Sequence, residues 1–265
     1  MDIHKPKPFH NLREFASEVL IVVVGVAIAL AGEQAVEWWS WHNRAGEARQ
    51  AIALELGTSV GGAEGRVNIA PCVARRLDFL ARTVEQAAVS GHLPPLGHIP
   101  RPPYMAWESD VWRSAQASQA AAHLGGAEQR AIASAYGFTS LLRELNDAER
   151  VPWARLAALA GTGRAFSAAD AAAMRSAIAE AADLNARVTG SSLRLREQID
   201  IEGIRFSARN ERGRRDSRYF SARDCVLTDA APADGGFAAD ILARGLAATR
   251  ADPLPRGDAG ENAKR

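Results

Sequence analysis

The stretch "SEVLIVVVGVAIALAGEQAVEWWSW", residues 17 to 41, constrains this chain more than any other part of it. From Val19 to Gly32 no charged or strongly polar side chain interrupts it, a run of fourteen positions. A helix that packs in a globular core normally keeps a polar stripe; this run has none around its circumference. A soluble-core helix is therefore the poorest reading. Runs of roughly 10–14 apolar residues also serve as the hydrophobic part of a signal peptide. Lys5, Lys7 and Arg13 precede this one, and Ala29-Leu30-Ala31 has the small-x-small form of a cleavage site. Against cleavage after Ala31, Glu14 and Glu18 interrupt the cationic flank, and the helical pattern continues through "GEQAVEWWSW".

Extending the helix on both sides makes it a membrane anchor. Phe15 to Trp39 is 25 residues, about 37 Å at 1.5 Å per residue, enough to cross a bilayer and both its interfaces. Glu18 and Glu33 then fall near the interfacial levels, where charge costs far less than at the centre. Trp38, Trp39 and Trp41 suit an aromatic belt. Glu33, Gln34 and Glu37 follow the apolar run as it would leave the lipid. They fit solvated interfacial groups, and equally polar contacts to a second membrane helix.

The same residues carry a resemblance. "KPKPFHNLREF" followed by an apolar run ending in "EQAVEWW" resembles a family of uncharacterised small membrane proteins of Gram-negative bacteria, over about residues 5 to 55. The resemblance implies one N-terminal span and a helical extracytoplasmic part, and it implies no activity. Gly57, Gly61, Gly62 and Gly65 depart from the family pattern and argue against one long unbroken helix after the span.

Lys5, Lys7, Arg13 and the α-amino group precede the span, against Arg44 and Arg49 after it. This small excess favours a cytoplasmic N-terminus. The only two cysteines, Cys72 and Cys225, then share the oxidising side and are the expected disulfide pair. The expected organisation is a cytoplasmic arm (1–14), the span with its aromatic belt (15–41), an extracytoplasmic helical domain (42–229) and a flexible tail (230–265). The location is the bacterial inner membrane, with the domain in the periplasm.

Alanine dominates the apolar 47%, with only 8 Phe and 3 Tyr. Alanine favours helix, whereas aromatic and β-branched residues favour strands. The expected fold is all-α: one N-terminal transmembrane helix followed by an antiparallel helical bundle of four or five helices. Pro71 is placed in the first turn of a new helix ending at Gly91, with Val73, Leu77, Leu80 and Val84 inward and Arg75, Arg76 and Asp78 outward. The proline-rich 92–105 is a connecting loop. Ser109 or Asp110 caps the next helix, which runs to Gly125, and Pro152 is a possible joint in the one after that. Ser167 and Asp170 resemble a capping box. Residues 205–224 mix charges, and only one short amphipathic turn, "FAADILARGLAA", punctuates the tail.

Chemistry-bearing motifs are sparse. The histidines are scattered and lack metal-ligand spacing. "WESDVW" reads as Trp112 in the core and Trp107 over the loop. "ERGRRDSR" reads as a solvated basic face, and "GTG" at 161–163 as a turn without the strand and lysine of a phosphate loop. Lys plus Arg (32) nearly equals Asp plus Glu (31), which argues against nucleic acid as a partner. The chain is expected to be no enzyme, with no cofactor and no metal. Its expected partners are the lipid bilayer and, beyond it, another membrane helix or a second copy of itself.

Overall fold

The computed structural model describes residues 12–201, 237–252 and 254. It is built on α1 (Leu12–Ser90), a single helix of 79 residues, about 118 Å long at 1.5 Å per residue. Beside its distal part lie α2 (Asp110–Ala117), α3 (Gly126–Ala157), α4 (Ala168–Ile201) and α5 (Phe237–Ala251), with a 3-10 turn at Ala120–His123. The fold is all-α, one long apolar N-terminal helix followed by a packed bundle. The strand content among the described residues is a two-residue pair, β1 (His92–Leu93) with β2 (Arg164–Ala165), antiparallel, His92 opposite Ala165.

From Arg13 to Trp39 every described side chain of α1 is exposed. An 18-residue window here has mean hydropathy 2.4 with none of it buried, so this end is long and apolar enough to cross a membrane. From Ala45 onward the same helix becomes a wall of the bundle.

The expected interruption at residues 57–65 and the new helix at Pro71 are not what forms. Gly57, Gly61 and Gly65, four apart and so on one face, are all buried. Isolated glycines cost about 1 kcal/mol of helix propensity each, but burial against neighbouring elements outweighs that here. At Gly62 a methyl group would land 1.6 Å from Met105 Sδ, so the bare backbone makes room for the return loop. Pro71 lies inside α1 and cannot donate to the preceding turn. Beside it Asn185 Nδ2 of α4 donates to Ala70 O at 3.1 Å. Gly91, at φ +69°, ends α1 in the left-handed conformation that favours glycine.

After β1 the proline-rich segment returns along the bundle. Arg143 Nε of α3 donates to Trp107 O at 2.7 Å and its Nη2 to Ser109 Oγ at 2.9 Å. Val111 N donates to Glu55 of α1 at 3.2 Å. This return lets α3 run parallel to α1: Arg49 pairs with Glu128, Glu55 with Tyr136, and Arg66 with Glu149. α2 is shorter than expected, and the 3-10 turn fills the remainder before Gly125. Pro152 lies within α3 and is no joint. α4 runs back antiparallel to both. At its start Ser167 N donates to Asp170 Oδ2 (2.9 Å) and Asp170 N to Ser167 Oγ (3.1 Å), a reciprocal box with aspartate in the role of glutamate.

Part of the expected tail is structural. α5 buries Ala238 and Leu242 and lies beside α4, where Thr249 meets Gly190 and Gly245 meets Ala186. Its first amides donate to Asp78, Ala238 N to Oδ1 at 2.7 Å and Ala239 N to Oδ2 at 3.3 Å. Asp78 thus points inward, contrary to the sequence expectation, because its carboxylate caps a helix N-terminus. Arg76 is buried too, its guanidinium 5.7 Å from the Trp153 ring centre.

The core divides in two. A proximal cluster, nearer the apolar end, holds Ile52, Leu56, Trp112, Tyr136 and Leu195. A distal cluster holds Leu77, Leu80, Trp153, Leu156 and Ile178. At the level between them sit the buried polar groups Arg66, Asn146, Glu149 and Asn185. Arg66 Nη2 donates to Glu149 Oε1 at 2.7 Å, both side chains being almost fully buried. Residues 205–224, with their basic cluster, and Cys225 lie outside the described residues.

Candidate functional site

The sequence-predicted interface residues lie where α1 passes from bare to packed. Positions 34, 37, 38, 41 and 42 share one helix face. Trp41 Nε1 donates to Glu37 Oε1 at 3.4 Å. The Trp38 and His42 rings stack at 5.4 Å, and the Arg44 guanidinium lies 4.9 Å from the Trp41 ring centre. Against this face the 3-10 turn brings His123, whose ring stacks on Trp41 at 4.2 Å and 13°. Gln34, Glu37, Trp38, Trp41, His42 and His123 line a recess of about 330 Å³. Its ring faces, carboxylate, amide and imidazoles suit an amphipathic, headgroup-like environment.

Of the six predicted residues, four line this recess and two do not. Glu33 and Trp39 are exposed beside it, Trp39 at 63%. Trp39 is also the last of the exposed large apolar side chains before Leu54. His42 and His123, bland in the sequence, complete this ring of side chains, the collar. His42 was findable as the i+4 neighbour of Trp38; His123 was not, because only the return of the chain through the proline-rich loop brings it there.

A second constellation lies in the proximal core. Glu55 accepts from Tyr136 Oη and Val111 N. Burial, then the Glu55 carboxylate, push the Tyr136 phenol far above its ordinary range, so it stays a donor. Cys72 is buried and engaged in a disulfide, while its expected partner Cys225 lies outside the described residues. Trp107 and Trp112 are both buried core residues. Among the described residues no group of three or more His, Cys, Asp or Glu could hold a metal ion.

No family model, curated protein or solved structure matches this chain. The reading of its role therefore stands on the geometry of its own residues.

Proposed function

We propose that this chain is a single-pass protein of the bacterial inner membrane, of the uncharacterised family its N-terminus resembles. The arm before the span is cytoplasmic, and the helical domain stands in the periplasm as a non-enzymatic module for binding a protein or ligand. The observation that carries the reading is the wholly exposed apolar segment 15–39, continuous by one helix with the wall of a folded domain. Leaving that surface in water would expose large contiguous apolar area. The collar supports the placement, since Trp38 and Trp41 with their imidazole and carboxylate neighbours suit the headgroup layer. The Cys72 disulfide supports an oxidising compartment.

The competing reading, a soluble periplasmic protein released after Ala31, rests on the Ala29-Leu30-Ala31 pattern. It would require cleavage inside an unbroken helix. Fractionation with a carbonate wash, followed by intact mass measurement, separates the two. A full-length chain retained with the membranes is expected. A chain starting at Gly32 in the soluble periplasm would overturn the anchor.

A further inference from the structure

Midway along the bundle lies a groove of about 910 Å³ between the returning segment and α3. Its open part is lined by His98 and Arg101 on one side and Arg150 and Arg155 on the other, and Asp147 is the acid lining it. A narrow crevice beside it, of about 10 Å³, shares Arg101, Arg150 and Trp153 and adds Asn146 and Glu149.

The hydrogen-bond inventory of this site is one-sided. Asn146 Nδ2 and Trp153 Nε1 are buried donors with no acceptor among the described residues, and both residues are more than nine-tenths buried. Buried donors are nearly always satisfied, so two orphans lining one crevice call for an acceptor. Glu149, whose Oε1 accepts from Arg66, makes no hydrogen bond to either of them. Arg155 is paired with Glu180 at 2.9 Å, whereas Arg101 and Arg150 have no ion-pair partner among the described residues. The site therefore offers two free guanidinium groups outside and two neutral donors within. Such a donor set disfavours a cation and suits an acceptor-rich anion.

We propose that this groove binds a small soluble oxyanion, a carboxylate or a phosphate ester, held between Arg101 and Arg150 with Trp153 donating to it directly and Asn146 through a water in the crevice. Its volume suits a molecule of metabolite size. A lipid headgroup is disfavoured by distance. The groove lies at the level of α1 residue 66, to which Glu149 is bonded. That is 27 residues beyond Trp39, about 40 Å along the helix. This exclusion rests on the proposed membrane placement; the donor chemistry does not.

The test is isothermal titration of the full chain in non-ionic detergent with citrate, glycerol phosphate and inorganic phosphate. Saturable binding of at least one is expected, and the preferred probe distinguishes carboxylate from phosphate. Arg150→Glu and Arg101→Glu, both at exposed positions, should each weaken it by about tenfold or more at unchanged unfolding temperature. Asn146→Leu should weaken it severalfold without charge change, and circular dichroism checks that it remains folded. No saturable binding of any probe at millimolar concentration, or equal binding by Arg150→Glu, overturns the proposal. Because the titration uses solubilised protein, its failure is distinct from failure of the anchor, which fractionation reads.

Discussion

Two stretches of α1 share one backbone and have opposite surroundings. Residues 15–39 are largely apolar and every described side chain among them is exposed, whereas 45–88 carry charges and glycines yet form a wall of the domain. In the first stretch composition alone fixes the environment, since none of its described side chains is buried. In the second the environment comes from α3, α4 and α5, and it overrides local propensity. The same residue type therefore has opposite consequences in the two stretches.

Exchanging one substitution between them tests this most strongly. Leu77 is fully buried, so Leu77→Asp loses its packing, worth about 2–5 kcal/mol, and buries an unpaired carboxylate as well. The domain should unfold while the chain stays in the membrane. Val23→Asp, 56% exposed in the bare stretch, should leave the domain's melting unchanged. At about 2.5–3.5 kcal/mol for a central charge, it should shift chains into the carbonate-soluble fraction. Both variants behaving alike would break the comparison.

The polar level between the two core clusters gives the next effect. Glu149→Ala leaves the Arg66 charge buried and unpaired, at a cost of about 3–5 kcal/mol. Replacing both together, Arg66→Met with Glu149→Leu, should be near neutral or stabilising, because the desolvation of both ions is relieved. Chemical denaturation of the three proteins reads it. A double variant as unstable as the single one would mean that the pair contributes more than mutual compensation. At the collar, His123→Ala should cost only about 0.5–1.5 kcal/mol through the lost stack on Trp41, seen as a small drop in melting temperature.

How much of this was legible follows the same division. The apolar segment, the all-α class, the capping residues Ser167 and Asp170 and the proline-rich connector could be read directly, because each is decided by neighbours within a few positions. The passage of α1 through Gly57–Gly65 and Pro71 could not, since it depends on burial and on Asn185 from 115 positions away. Neither could the inward turn of Asp78, whose partners are amides 160 and 161 residues later. In the collar, position just after the apolar run gave Gln34, Glu37, Trp38 and Trp41 but not His123. The arginine-lined groove left no sequence signal, because His98 and Arg101 come from the connector and Arg150 from within a helix.

The smallest effect separates contact from burial at the proximal end. Arg49 Nε and Nη2 donate to Glu128 at 2.5 and 2.8 Å, fastening the start of α3 to α1. The Arg49 hydrogen bond, ahead of its charge, holds the Glu128 carboxyl below its ordinary value of 4.5. A carboxyl depressed on folding adds stability at pH above its unfolded value, and that stability is lost as pH falls through the folded one. The window therefore opens downward from about pH 4.5. Because the pair is partly solvated, about 0.5 kcal/mol is the scale to expect. Glu85 beside Arg175 and Asp170 beside Ser167 are depressed as well, so only the difference from wild type is informative. Glu128→Gln should melt slightly below wild type at neutral pH and converge with it under acid. A constant gap at all pH values would mean that the glutamine loses packing or hydrogen bonding there, and that charge on Glu128 contributes nothing to joining α3 to α1.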